Sequence, residues 1–431
     1  MESTTEMQES VSRTEVEEPP SSILHWNNIN QGIQETQEVQ LEEIEEPPSN
    51  IQDWHGIEAK FQINFKEVKT KDTLNSNSFW NDWRWQLRNT ISDVKILDSL
   101  LLINKINLNE LERVGREYPF SITPYYLSLI DKNNPNDPIK AQCIPSLEEG
   151  RDYIGVEDDP LGEEEHTKVP GLVHRYPDRV LVTLTNICPV YCRHCTRKRV
   201  WHKGTWVRRP GELEEIFNYI SQHKEVRDVI LSGGDPFVLS TERLEEILKR
   251  LRKIPHVEII RIGTRCPVVL PQRIDKRLVT VLKKYRPIFV NTHFNHPSEI
   301  TKESAKACDQ ILCAGIPVSN QTVLLKGVND SVGVMTKLCQ ALVRISVRPY
   351  YLFQCDPVVG TGHFRTSIEK GVEIIKGMRG FTSGLCIPTF VVDGPHGQGK
   401  VSLQPNYIVK KKKGCTVFRG YKGENFVYLN P

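Results

Sequence analysis

Six short apolar runs recur across the middle of the chain, with helical patterns between most of them. They are RVLVTLTN (179–186), RDVILSGG (227–234), VEIIRIGT (257–264), PIFVNTHF (287–294), PVSNQTVLL (317–325) and VRPYYLFQ (347–354). The segment STERLEEILKRLRKI (240–254) shows what lies between: Ser240 or Thr241 as a cap, Glu in the first turn, then apolar residues at helical spacing. Strands that alternate with helices pair in parallel through right-handed crossovers. Such units give a doubly wound sheet or a complete or partial barrel. In a barrel the chemistry sits at the C-terminal ends of the strands. This chain puts its unusual residues there: three cysteines after the first run, Gly233-Gly234-Asp235 after the second, Arg265 after the third, His293 at the fourth and Asp356 after the sixth.

The flanks read differently. Residues 1–60 are rich in Glu, Gln, Ser and Pro, which predicts a disordered acidic tail. The tail carries a two-copy repeat, EEPPSSILHW ending at Trp26 and EEPPSNIQDW ending at Trp54. It reads as a duplicated tail, or as a pair of docking motifs with Trp and Ile anchors. FWNDWRWQLRNTI (79–91), LNELERVG (108–115) and SITPYYLSLI (121–130) predict a helical N-terminal region over residues 61–165. The barrel is expected over 166–408. The remaining residues, 409–431, read as a short basic tail, a loop plus a hairpin, with Lys410 to Lys413 in a solvated turn rather than a nucleic-acid patch.

A net charge of +2 gives no global field to draw nucleic acid or an anionic membrane. No apolar run approaches the roughly 20 residues of a membrane-spanning helix. The opening MESTTEMQES lacks the regions of a signal peptide, so cytoplasm is the expected compartment. Eight of the 11 cysteines stand singly, mostly in apolar segments, as small buried hydrophobes do. The other three form a group.

That group lies in LTNICPVYCRHCTRKR (184–199), where Cys188, Cys192 and Cys195 have the spacing C-x3-C-x2-C. Three thiolates can hold three irons of a [4Fe–4S] cluster and leave the fourth open, whereas ordinary four-iron carriers use four cysteines. The open iron suits a chelating amino acid such as the methionine end of S-adenosylmethionine. A zinc site completed by His194 or His202 is the competing reading. Farther on, GPHGQGK (394–400) presents Lys400 on a glycine-rich loop, where a lysine can condense with an aldehyde cofactor. The loop is not a P-loop, since its spacing and following residue differ.

The cysteine spacing, with Tyr191 before the second Cys, is similar to the radical S-adenosylmethionine superfamily motif, and LSGGDP resembles that superfamily's Gly-Gly-acid segment. CPVYCRHCTRKR is closer still to the radical 2,3-aminomutase family, on its lysine-acting side. The likeness continues through WNDWRWQ, ITPYYL, HRYPDR, RIGTRCPVVLPQRI, THFNHP, QTVLLKGVND, RPYYLFQCD, GHFRTSIEKG and VVDGPHGQGKVSLQPNY, roughly residues 79–408. It implies an α/β fold, a partial (β/α)6 TIM-like barrel of the radical S-adenosylmethionine type with a helical N-terminal cap. It also implies three cofactors: a [4Fe–4S] cluster on Cys188, Cys192 and Cys195, S-adenosylmethionine near Gly233, Gly234, Asp235, His293 and Gln321, and pyridoxal phosphate on Lys400 with Arg175, Arg179 and Tyr176.

The same resemblance implies an isomerase that moves the amino group of L-lysine from C2 to C3, giving β-lysine. Arg197 falls at the position that partners the substrate carboxylate, and Asp356 and Asp393 at the positions that read the distal end of its side chain. Two buried carboxylates without a cation suffer several kcal/mol of desolvation each. An ammonium offsets it through charge-assisted hydrogen bonds worth about 1.5–3 kcal/mol each. Arginine or ornithine also fits such a pair; the rival activity is aminomutation of arginine or glutamate, ahead of a non-catalytic iron–sulfur protein. A ferredoxin or flavodoxin is the expected electron donor. The chain departs from the pattern in three places. His396 and Gln398 replace two loop glycines, Phe353 stands where a tyrosine is frequent, and no Cys-rich segment for zinc between subunits follows Lys400. A homo-oligomer would therefore assemble without that zinc site.

Overall fold

A computed structural model describes residues 79–101 and 108–431. The acidic tail with its Trp26 and Trp54 repeat lies outside the described residues, as do 61–78 and 102–107. Ten strands form the main sheet: β1 (Thr167–Val169), β2 (Leu172–Tyr176), β3 (Arg179–Thr183), β4 (Asp228–Ser232), β5 (Ile259–Gly263), β6 (Ile288–Thr292), β7 (Val318–Leu324), β8 (Arg348–Gln354), β9 (Thr389–Gly394) and β10 (Gly399–Leu403). Their order in space is their order in sequence. β3 to β9 run parallel, β1 and β2 precede them as an antiparallel hairpin, and β10 returns antiparallel to β9.

The six apolar runs are β3 to β8, and each is followed by a helix, so the six strand–helix units of the expected partial barrel are present. β9 adds a seventh parallel strand. No ladder joins β10 to β1. Instead, the loop before β1 bridges the gap by backbone hydrogen bonds, Glu157 N to Pro357 O at 2.8 Å and His396 N to Pro160 O at 2.9 Å.

Side chains alternate along the strands with period two. Val180, Val182, Val229, Leu231, Ile260 and Ile262 are fully buried, together with Ile216, Ile220, Leu244, Ile247 and Leu248 of the covering helices. The alternate positions of β3 to β5 are half-buried and include Arg179, Thr183, Asp228, Ser232 and Arg261. The helices start where capping chemistry places them. Ser240 Oγ accepts from Arg243 N at 3.2 Å ahead of Thr241–Leu251, and Asp275 Oδ1 accepts from Leu278 N at 2.8 Å ahead of Lys276–Lys284.

Short N-terminal helices, among them Pro124–Ser128 and Pro138–Cys143, are fixed to the loops after β5 and β6. Thr123 Oγ1 donates to Val269 O at 2.7 Å, and Tyr126 Oη donates to Glu299 Oε1 at 2.7 Å. The C-terminus corrects the sequence reading of a basic loop and hairpin. It is a three-stranded antiparallel sheet, β11 (Ile408–Lys412), β12 (Cys415–Arg419) and β13 (Asn425–Leu429). Lys410, Lys411 and Lys412 are strand residues and only Lys413 lies in the turn, because Gly414 with φ +73° closes the hairpin one residue later. Among the described residues no helix is long and apolar enough to cross a membrane.

Candidate active site

The three-cysteine loop leaves β3 at its C-terminal end and is held by polar residues at both ends. Thr185 Oγ1 donates to Trp206 O at 2.7 Å, and Asn186 Nδ2 donates to Gly204 O at 2.6 Å. Arg193, fully buried between two of the cysteines, donates to Glu149 Oε1 and Oε2 at 2.9 and 2.6 Å, and Lys198 Nζ donates to the same carboxylate at 2.6 Å. The loop's shape is therefore set by protein contacts. Tyr191 stacks on Trp201 with centroids 5.0 Å apart.

Cys188, Cys192 and Cys195 are free thiols, each half-buried as a residue. Burial pushes the Cys188 thiol well up, with Asp235, Cys195 and Cys192 adding to the rise, and lifts Cys195 to about 11, with Cys192 adding. The Cys188 sulfur thus feels both of the others, and Cys195 feels Cys192. Among the described residues no three His, Cys, Asp or Glu side chains converge on a point that one ion would occupy. A cluster asks for something different, because each cysteine takes its own iron. The histidines of the zinc reading face other partners. His194 Nε2 lies 3.3 Å from Asn295 Nδ2, and the His202 ring faces Tyr118. The donor set and its setting fit a cluster held by three thiolates, with iron taking the place of the thiol protons.

The Gly233-Gly234 turn after β4 passes hard against this loop. Gly233 has φ +120°, and a Cβ there would strike Thr185 O. A Cβ on Gly234 would strike Ile187 O and lie 2.7 Å from Asn186 C. Asp235, expected among the S-adenosylmethionine contacts, closes this turn with its side chain turned inward. Its carboxylate accepts from Thr264 Oγ1 at 2.7 Å, Arg265 N at 2.7 Å and Phe237 N at 3.0 Å, so it is buried and occupied in bracing the turn. His293, just past the end of β6, comes beside Gln321 in the middle of β7. Burial and the Arg265 charge hold that imidazole down to about 4, so it is neutral near pH 7.

The second group assembles from β2, β8, β9 and β10. Lys400 stands directly opposite Asp393 in the β9–β10 ladder, and its Nζ donates to Asp393 Oδ1 at 2.8 Å. The turn between them needs special backbone. His396 sits at φ +50° in the left-handed region natural to the glycine it replaces, while Gln398 at φ −64° needs no glycine. Tyr176 Oη accepts from Lys400 N at 3.1 Å, the Arg179 guanidinium lies 3.8 Å from the Tyr176 ring centroid, and Arg175 Nη2 is 3.8 Å from Asp393 Oδ1. Lys400 Nζ lies 5.2 Å from the centroid of Phe353. Asp356 joins the group. Burial, with Asp393 adding, raises its carboxyl to about 7 against the opposing pull of Lys400 and Arg175. An aldehyde with a phosphate tail fits this donor set: one amine and two guanidinium groups around a tyrosine.

Arg197 brings a residue that sequence reasoning missed. Its Nε donates to Glu163 Oε2 at 2.9 Å and its Nη2 to Oε1 at 2.6 Å, while Nη1 reaches Ser232 Oγ at 3.3 Å and Gly233 O at 3.2 Å. Arg199 Nη2 adds a contact to Glu163 at 3.2 Å. Burial alone would raise the Glu163 carboxyl, but Arg197 and Arg199 draw it down to about 2. The signal was the acidic run EDDPLGEEE (157–165), which reads as a solvated face until TRKR is laid against it.

A parallel barrel with three thiols at one strand end and a lysine among arginines at another defines the radical S-adenosylmethionine class, and the Radical SAM superfamily model matches residues 182–338. The model described as lysine-2,3-aminomutase matches residues 375–431. The L-lysine 2,3-aminomutase of Clostridium subterminale is 49% identical over 85% of this chain and 86% of its own length, and that of Acetoanaerobium sticklandii is 50% identical over 83% and 86%. The glutamate 2,3-aminomutase of Clostridioides difficile is 42% identical over 85% and 87%. The chain belongs to the lysine 2,3-aminomutase family.

Proposed function

We propose that this protein is an isomerase that converts L-lysine to L-β-lysine by moving the amino group from C2 to C3. The observation that carries the substrate is the grip of Asp393 on an alkylammonium: Lys400 Nζ, at the end of a four-carbon stem, sits 2.8 Å from Oδ1. The distal end of a substrate lysine is the same group. With Asp356 alongside, the pair favours a cation and opposes the added negative charge of a glutamate side chain.

Cys188, Cys192 and Cys195 would hold the cluster. Lys400, Arg175, Arg179 and Tyr176 would hold pyridoxal phosphate, and Gly233, Gly234, Asp235, His293 and Gln321 would lie against S-adenosylmethionine. When bound, these groups supply radical generation and a conjugated ring that delocalises an unpaired electron. The chain's own work is orientation. Arg197, aimed by Glu163 and the Gly233 carbonyl, presents its guanidinium toward the substrate carboxylate, while Asp356 and Asp393 fix the far end. Neutral His293 gives a polar contact without adding positive charge. A low-potential ferredoxin or flavodoxin would deliver the electron, in a reducing cytoplasm.

Product analysis of the anaerobically reconstituted protein with L-lysine, L-arginine and L-glutamate tests the reading. β-Lysine as the main product is expected. A product from glutamate or arginine but not from lysine would overturn it.

A further inference from the structure

Arg265 follows β5 and is buried. Its guanidinium reaches four elements at once. Nη1 donates to Cys192 Sγ at 2.8 Å, Nε donates to His293 O at 3.2 Å, and Nη2 donates to Glu299 Oε1 and Gln142 Oε1 at 2.6 Å and to Tyr126 Oη at 3.0 Å. The carboxylate that neutralises it is itself fixed. Glu299 is fully buried, accepts from Tyr126 Oη at 2.7 Å and from His296 N at 2.9 Å, and cannot swing away. Gln142 and Tyr126 come from the N-terminal helices, so the cap holds the guanidinium against the cysteine loop.

We propose that Arg265 sets the electron affinity of the iron–sulfur site through its hydrogen bond to Cys192, with Glu299 as the opposing charge. This rests on Cys192 being a cluster ligand. One-electron reduction by a low-potential donor adds one negative charge to the iron–thiolate unit. A fixed guanidinium donating to a ligand sulfur stabilises that added charge, and hydrogen bonds to the sulfurs are a recognised lever on cluster potential. A buried carboxylate 2.6 Å from the same guanidinium offsets part of the effect. Arg265 is thus a positioning and tuning residue, and the two side chains pull the potential in opposite directions.

The test is a reductive titration of the full-length, iron-reconstituted protein without S-adenosylmethionine, followed by electron paramagnetic resonance. Arg265→Gln is expected to raise the ratio of oxidised to reduced cluster about tenfold at a fixed poise, equal to a midpoint about 59 mV more negative for one electron. Glu299→Gln, which keeps the acceptor oxygen and removes the charge, is expected to move the midpoint the other way. Loosening of the site would move both variants in the same direction. Two iron-loaded variants with the wild-type midpoint, or two shifts of one sign, would overturn the inference. If Arg265→Gln takes up no iron, Glu299→Gln decides alone, and a midpoint that does not rise overturns it. A wild-type chain that takes up no iron sinks the cluster reading itself, a result distinct from an unchanged midpoint.

Discussion

Asp393 faces Lys400 across the β9–β10 ladder, and that pairing links cofactor and substrate sites. An aldehyde cofactor held at Lys400 would free Asp393 to hold another ammonium. Asp393→Asn is expected to weaken L-lysine binding roughly 10- to 100-fold, matching about 1.5–3 kcal/mol for a charged hydrogen bond. Calorimetric titration of the pyridoxal-loaded protein measures it. Asp356 adds a pH dependence. Its carboxyl is raised to about 7 in the fold from 3.8, so between those values the folded chain keeps a proton that the unfolded chain has released. Stability from this group therefore falls as pH rises toward 7. Binding of a cation favours the ionised form, so lysine affinity should climb as pH rises through about 7, and Asp356→Asn should flatten the curve. Glu163 has the opposite sign. Its contribution is present above 4.5 and is lost as pH falls toward about 2. Glu163→Gln leaves Arg197 and Arg199 short of charge and should cost about 3 kcal/mol in urea unfolding. The cysteine triplet was legible from its spacing, and Lys400 and both aspartates through the family resemblance. Glu163 was not, since an acidic run announces no partner.

At the scale of elements, the Gly233-Gly234 turn and the cysteine loop interlock, and one methyl group should separate them. Gly234→Ala would drive a Cβ into the Ile187 carbonyl, which precedes Cys188. Iron per chain after reconstitution is expected to fall severalfold while far-UV circular dichroism stays unchanged. Full iron loading would show that the loop has slack. The six parallel strands were readable because β-branched runs ended at chemistry-bearing residues. β9 and β10 were not. PTFVVDGPHGQGK has only three consecutive apolar residues before a Gly- and Pro-rich turn, and this hides two strands behind a loop signature. β2 was obscured in the same way, since LVHRY carries two strongly polar residues in succession, His174 turned to Tyr219 and Arg175 turned toward Asp393. The lysine run became β11 because Gly414 fixes the turn, a cue that charge overshadowed.

For the molecule as a whole, the cysteine loop is braced by Glu149, Arg193 and Lys198, and the barrel by its apolar core, so the fold is expected to persist without metal. Removing iron with a chelator should lower the unfolding temperature by only a few degrees and leave secondary structure intact, unlike small metal-dependent domains. Cooperative unfolding on chelation would contradict this. The most direct test of the central claim follows the nitrogen. Protein loaded with iron, S-adenosylmethionine and pyridoxal phosphate is reduced anaerobically with L-lysine carrying 15N at C2, and the product is read by NMR. The account predicts 15N bonded to C3 of β-lysine. Label that stays at C2, or leaves as ammonia, would contradict it.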